Sequence, residues 1–169
     1  MTEGSRLGLA VAVVTAWLCG WTPLVLADPA SDHQLQTLAG QGDANAQWML
    51  GQALLTGSLG TTDENEAVRW FQLAAEQGHA LAQRDLGMVY EQGQGVTPDR
   101  LEAFFWYSLA SRQDSGRARL RRDALAGMLT PDQRQAIAAR VKAWRPRQGG
   151  DAGGDQPEVF RLKRSVLSD

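Results

Sequence analysis

AQWMLGQALLTGSLGTTDENEAVRWFQLAAEQGHAL, residues 46–81, runs directly into AQRDLGMVYEQGQGVTPDRLEAFFWYSLASRQDSGR, residues 82–117. Aligned at a spacing of 36 residues, the two stretches are identical at 13 of 36 positions, where unrelated segments would agree at about two. A repeat of this length is typical of one supersecondary unit stacked on copies of itself. The fold is therefore predicted to be all-α: a right-handed superhelical solenoid of stacked antiparallel helix pairs, with about three and a half 36-residue repeats.

Each unit has the pattern of two helices joined by a glycine-containing turn. Apolar side chains recur at helical spacing on both sides of Gly57 and of Gly93. These glycines are predicted C-caps, and Thr61 and Thr97 are predicted N-caps of the helices that follow. The positions assigned to packing are Ala46, Leu50, Gly51, Gly57, Ala67, Trp70 and Ala74 in the first unit, and Ala82, Leu86, Gly87, Tyr90, Gly93, Ala103, Trp106, Tyr107 and Ala110 in the second.

Gly51 and Gly87 occupy equivalent positions inside predicted helices. Glycine in a helix costs about 1 kcal/mol relative to alanine, so its recurrence calls for a reason. We expect a neighbouring helix to pass too close at this point for any side chain.

The repeat extends beyond both copies. Residues 31–45 resemble the second helix of a truncated unit, and residues 118–145 a degenerate unit that caps the stack. Thr130-Pro131-Asp132-Gln133 predicts the start of a last helix, which gives seven helices between residues 31 and 145. Residues 28–145 thus form the solenoid, and the glycine-rich segment 146–169 is predicted to be a flexible tail.

Residues 1–27 have the pattern of a secretory signal peptide, with an early arginine, an apolar stretch and a candidate cleavage site after Ala27. The predicted location is periplasmic or secreted. Residues 7–27 are also long enough to anchor the protein in the inner membrane, although Gly20 and Pro23 disfavour this. Cys19 is the only cysteine, and as a lipoprotein acceptor it is disfavoured by the leucine before it. A cleaved chain would have no disulfide and no thiolate metal site.

The net charge of −2 hides a strong segregation. Residues 28–116 contain 12 acidic and 4 basic side chains, whereas residues 117–147 contain 9 basic and 2 acidic ones. Such a gradient can steer a charged partner or pair two copies head to tail, or it can be no more than a solvated basic face. A nucleic-acid role would conflict with export. Membrane contact is expected only through the signal segment or the apolar, basic end of the tail.

Side-chain patterns predict no catalytic, cofactor or metal site. Asp63 and Asp99, like Glu66 and Glu102, recur at the repeat period, which indicates helix starts and solvent-facing positions rather than a catalytic pair. His79 stands at a turn without metal-ligand spacing around it. There is no nucleophile elbow and no phosphate-binding glycine loop.

The repeated residues resemble the Sel-one-like repeat family, helical solenoids related to the tetratricopeptide repeat. The second unit matches its pattern at Ala82, Leu86, Gly87, Tyr90, Gly93, Gly95, Val96, Asp99, Ala103, Trp106, Tyr107 and Ala110. The first unit departs at Leu54 and at Leu59-Gly60, so its inter-helix turn is expected to differ. The resemblance implies an exported or envelope-associated bacterial scaffold that holds partner proteins on its concave face, and not an enzyme. Some cysteine-rich relatives are called β-lactamase-like, but they carry repeat disulfides that this chain lacks.

The predicted binding surface consists of first-helix residues that differ between the units. A large aromatic residue, methionine and arginine together are typical of binding hot spots; the candidates are Trp48, Gln52, Arg84, Met88, Arg119 and Arg122. The alternative for Trp48 is packing against the truncated first unit. The predicted function is an exported adaptor that binds a protein partner of unknown identity. The alternatives are a self-associating envelope protein and, less favoured, a cell-wall or β-lactam hydrolase.

Overall fold

The computed structural model describes residues 29–113 and 116–147, and within these ranges all regular structure is helical. The predicted signal peptide and most of the predicted tail lie outside the described residues. The helices are α1 (Pro29–Gly40), α2 (Ala44–Thr56), α3 (Glu64–Glu76), α4 (Ala80–Gln92), α5 (Arg100–Ser111), α6 (Gly116–Ala126) and α7 (Pro131–Ala143). The prediction of an all-α fold with seven helices is therefore confirmed.

Consecutive helices from α1 to α6 pack against each other in chain order, so that α2, α4 and α6 are first helices of their units and α1, α3 and α5 second helices. This arrangement confirms the predicted solenoid. The last pair differs: α7 packs mainly against α5 and not closely against α6. Arg140 on α7 pairs with Glu102 on α5, and its guanidinium lies 3.9 Å from the ring centroid of Phe105.

The core is centred on α5. Eight of its 12 residues are buried, including Phe105 and Tyr107. All of these except Ser111 join a cluster that extends from Ala67 on α3 to Ile137 on α7. A smaller cluster of Ala39, Ala46, Leu50 and Trp70 holds α1 and α2 against α3. The stack is thus stabilised by burial between neighbouring helices rather than by one central core.

The close helix approach expected at the repeated glycines is present. A Cβ atom added to Gly51 would lie 2.8 Å from the ring of Phe71, and one added to Gly87 would lie 2.8 Å from the ring of Tyr107. An aromatic residue from the second helix of the same unit fills the space in both cases. This contact offsets the low helix propensity of glycine at these positions.

The inter-helix turns begin and end alike in both units despite their different sequences. Gly57 and Gly93 cap α2 and α4 with φ of 74° and 75°, a conformation that favours glycine. The turns close through equivalent bonds, from the amide of Asp63 to Leu54 O (3.1 Å) and from that of Asp99 to Tyr90 O (2.9 Å). The expected difference is confined to the middle of the turn, where the second positive-φ glycine is residue 60 in one unit and 95 in the other.

The N-caps predicted at Thr61 and Thr97 are wrong. Asp63 and Asp99, two residues later, are the caps, and their carboxylates accept from the amides of Glu66 and of Leu101 and Glu102. A carboxylate at the positive end of a helix is a better acceptor than a hydroxyl there. The cap predicted at Thr130 is present as a complete capping box with Gln133.

After α7 the chain turns back onto the end of α3. The amide of Arg147 donates to Glu76 O (2.8 Å), and its guanidinium lies 2.9 Å from the Glu76 carboxylate. Pro146 contacts the position of Gly78. Pro146 and Arg147, the first two residues of the predicted flexible tail, therefore pack against the solenoid at the end of α3.

Candidate partner-binding surface

Three of the six predicted partner-binding residues converge on one buried carboxylate. Asp85 on α4 is 2% exposed. Its Oδ2 accepts from Trp48 Nε1 (2.8 Å) and from Gln52 Nε2 (2.6 Å), and its Oδ1 accepts from Arg84 Nε (2.7 Å). Trp48 and Gln52 lie one turn apart on α2, so this network ties the first helix of one unit to the first helix of the next.

Trp48 packs on the second unit rather than only against the truncated first one. Its ring centroid lies 5.5 Å from that of His79, the N-cap of α4, and its side chain is half-buried against the main core cluster. Burial lowers the pKa of His79 below its ordinary value of 6.5, while the negative charges of Asp85 and Asp43 act in the opposite direction. The neutral imidazole suits the cap, because Nδ1 accepts from the amide of Ala82 (3.2 Å).

An apolar groove of about 550 Å³ lies along the exposed side of Trp48. Leu35 on α1 and Leu59 in the turn after α2 line it, together with Met49, which is 46% exposed. Met49 and Asp85 occupy equivalent positions in the two units. In the described part of the chain no first helix precedes α2, so Met49 stays open, whereas Asp85 is covered by α2.

A second groove of about 290 Å³ continues from Gln52 across α4 to α6. It is lined by Gln52, Arg84, Asp85, Met88, Tyr107, Arg117 and Arg121. The hydroxyl of Tyr107 donates to Glu91 (2.8 Å), and burial together with this carboxylate raises the tyrosine's pKa. Arg121 lies 3.5 Å from the same carboxylate. The two grooves, which share Gln52, form what we call the first-helix face.

The structure divides the predicted site residues. Trp48, Gln52, Arg84 and Met88 lie together on the first-helix face. Arg122 does not: it lines a third groove between α5, α6 and α7, and its guanidinium donates to Ser111 Oγ (3.0 Å). Arg119 is exposed and lines none of the three grooves. Arg119 and Arg122 therefore lie apart from the other four predicted residues, and the arginines that line the first-helix face beside Arg84 are Arg117 and Arg121.

The burial and structural role of Asp85 are what sequence reasoning missed. The signal was present, because a carboxylate stands where the first unit has Met49 and the chain has an arginine beside it. The sequence alone does not show that the polar groups of Trp48 and Gln52 point toward the next unit, where both donate to Asp85.

Three aspartates and the imidazole of His79 act as helix N-caps. Asp43, Asp63 and Asp99 each accept a backbone amide at the start of a helix. No group of three or more potential metal ligands occurs within the ranges that the structure describes. No helix in these ranges has the length and apolar character needed to cross a bilayer.

Comparison with known proteins agrees with this architecture. The family model of the Sel1 repeat matches twice, at residues 44–79 and 80–115, so that each matched repeat begins where a first helix begins. No curated protein matches the chain significantly.

Two similar solved structures are solenoids of bacterial origin. The first is a protective antigen present in uropathogenic Escherichia coli strains that displays an SLR fold, with 30% identity, a TM-score of 0.62 and coverage of 78% of this chain and 27% of that one. The second is a Sel1 repeat protein from Oxalobacter formigenes, with 30% identity, a TM-score of 0.55 and coverage of 66% and 49%. This chain thus spans about a quarter and a half of their lengths. The chain thus contains two Sel1 repeats, and proteins built from such repeats are generally protein–protein interaction scaffolds and typically not enzymes.

Proposed function

We propose that this protein is an exported adaptor of the bacterial cell envelope that binds a protein partner on its first-helix face. One observation carries the proposal: this face places the exposed Met49 and the half-buried Trp48 beside the cationic side chains of Arg84, Arg117 and Arg121. Apolar and aromatic anchors next to arginines form the composition of protein-binding hot spots.

The Asp85 network makes this face rigid before any partner arrives. Trp48, Gln52 and Arg84 are each held by a bond to the buried carboxylate. Side chains that are already fixed lose little conformational entropy on binding. For the same reason Trp48 and Arg84 are poor sites for a test of binding, because their removal would disturb the fold.

Exposed residues of the same type provide the sharper test. Met49 lies in the apolar groove and is 46% exposed, whereas Met128, in the turn after α6, is 66% exposed and lines none of the three grooves. A photo-crosslinking residue placed at each position in living cells should capture a partner at position 49 and not at 128. The Met49→Ser variant should lose a partner that the Met128→Ser variant retains.

Each result has a clear reading. Equal capture at both positions, or none at position 49, would contradict binding on the first-helix face. Capture of a second copy of this chain at position 49 would favour the alternative, a self-associating envelope protein, for which the segregation of charge along the chain is the argument.

Export is a separate part of the proposal. Its support is the signal-like pattern of residues 1–27. Cell fractionation with mass spectrometry of the amino terminus should find the protein in the periplasm or medium, beginning at Asp28. A chain that keeps residues 7–27 and sediments with the inner membrane would replace this with the anchored form.

A further inference from the structure

The third groove has a chemistry of its own. It has a volume of about 490 Å³ and lies between α5, α6 and α7. It exists because α7 packs on α5 and not closely on α6, which leaves an opening between the last two helices. It shares no lining residue with the first-helix face.

Four cationic side chains line this groove: Arg112, Arg122, Arg134 and Lys142. Arg112 donates to Val141 O (3.1 Å), and Arg134 donates to Ala126 O (2.8 Å). These neutral carbonyl oxygens fix the guanidinium groups in place without cancelling their charge.

Within the ranges that the structure describes, one of these four cations forms an ion pair with a carboxylate. Asp123, 2.6 Å from Arg122, pairs with it from outside the lining, and its side chain is 60% exposed. The groove therefore carries an excess of positive charge, and hydrogen bonds hold its three arginines in place, an arrangement that suits carboxylate ligands.

The floor of the groove is apolar. Phe104, which is 8% exposed, and Val141 lie at its base, with Ala138 on the wall formed by α7. A small inorganic anion would leave this floor uncovered. A membrane surface requires a protruding basic face, whereas these cations surround a recess. A protein segment can supply both carboxylates for the rim and an apolar side chain for the floor.

We propose that the groove between α5, α6 and α7 is a second docking site, which takes an acidic protein segment that carries an apolar side chain. The site is independent of the first-helix face, so the protein can hold two partners at once. An adaptor with two such sites joins its partners by raising their effective concentration for each other.

Two neighbouring alanines on α7 allow a matched test. Ala138 lines the groove, whereas Ala139 does not, and both are exposed. Ala138→Glu and Ala139→Glu change net charge equally, on the same helix, with a residue that favours helices. Only the first places a carboxylate inside the groove. Circular dichroism checks that both variants keep the wild-type helicity.

The probe is a fluorescein-labelled acidic peptide with one central phenylalanine, followed by fluorescence anisotropy with the purified protein. Wild-type protein and Ala139→Glu should bind it within about twofold of each other, and Ala138→Glu should bind at least about tenfold more weakly. Replacing the phenylalanine of the peptide by serine should weaken binding about tenfold. Arg117→Gln/Arg121→Gln, on the first-helix face, should leave binding within about twofold.

Several results would overturn the assignment. If Ala138→Glu and Ala139→Glu weakened binding equally, the effect would be due to long-range charge and not to contact inside the groove. Equal binding of the serine peptide, or displacement of the peptide by inorganic phosphate at the same concentration, would show an anion site only. Tighter binding to phosphatidylglycerol vesicles than to the peptide would show a membrane face. A salt-sensitive dimer abolished by Ala138→Glu would assign the groove to a second copy, and absence of peptide binding would remove the proposal.

Discussion

At the scale of single residues, Asp85 stabilises the fold although aspartate is usually found on the surface of proteins. It is buried and accepts from Trp48, Gln52 and Arg84. A buried carboxylate is stable only while its donors satisfy it, and its donors in turn lose their own partners when it is removed. The residues that face the proposed partner are therefore held in place by a group that is itself almost completely buried.

Asp85→Ala should lower the free energy of unfolding by about 3 kcal/mol. This loss is at the lower end of the range for removing one partner of a buried ion pair. The reason is that the Arg84 side chain is already 25% exposed and is easily hydrated once Asp85 is gone. The matched control is Asp123→Ala, which breaks an exposed pair with Arg122 and should cost less than about 1 kcal/mol. Urea unfolding of both variants measures the difference, and equal losses would contradict a special role for Asp85.

His79 should make stability depend on pH. Because its pKa is lowered in the folded protein from 6.5, the unfolded chain binds the proton more strongly, and stability is lost as the pH falls through 6.5 toward the lowered value. Protonation also removes the acceptor that caps α4 at the amide of Ala82.

The urea concentration at the midpoint of unfolding should therefore decrease when the pH is lowered from about 7.5 to about 5.5. His79→Asn keeps a capping side chain and should reduce this fall, whereas His33→Asn, at an exposed position, should leave it unchanged. An unchanged fall in His79→Asn would show that another group is responsible.

At the scale of helices, a repeated pair of glutamines joins each unit to the next. The buried Gln47 and Gln83 donate to the carbonyls of Ala39 and Ala75, near the ends of the preceding second helices (both 3.1 Å). Their side-chain carbonyls accept from Gln77 (2.7 Å) and from Gln113 (3.0 Å). Each amide thus adds a second hydrogen bond to a carbonyl at a helix end, which already accepts from the backbone amide of Gly42 or Gly78 in the following turn.

Gln83→Leu should lower the free energy of unfolding by about 1–2 kcal/mol. Leucine fits the buried site in size but removes two hydrogen bonds, while the Ala75 carbonyl still accepts from the amide of Gly78 and Gln113 still donates to Gly78 O. Gln72→Leu on the exposed side of α3 is the control and should change stability by less than about 0.5 kcal/mol. A comparable loss of stability at both positions would contradict a special role for the buried glutamines in joining the units.

The helices themselves could be predicted well from the repeat, because the same stripe of Ala, Leu and Trp residues is required in each unit. The exact helix starts could not. Thr61 and Asp63 are both good caps by residue type, and only the path of the turn, closed by the bond from Asp63 to Leu54, decides between them. The glutamines were visible as identities, but their bonding pattern requires the relative position of three helices.

At the scale of the whole molecule, the end of the stack was the least predictable part. The repeat register decays after Ala118, and Arg122 stands where leucines stood in the earlier units. Nothing local then specifies that α7 crosses onto α5, where Arg140 pairs with Glu102. That crossing decides which arginines share a groove, so Arg122 and Arg121 lie on different surfaces although they are neighbours in the chain.

This same geometry should produce a gradient of local stability along the solenoid. In a stack, each helix is protected mainly by its neighbours. The α5 helix packs against α4, α6 and α7, whereas α1, α6 and α7 each have one closely packed neighbour among the described residues. Amide hydrogen exchange should therefore be slowest in α5 and fastest in these three helices. Ala138→Glu, at an exposed position, should leave that order unchanged. Uniform protection from α1 to α7 would instead mean that the stack opens only as a whole, and that its grooves cannot loosen independently of one another.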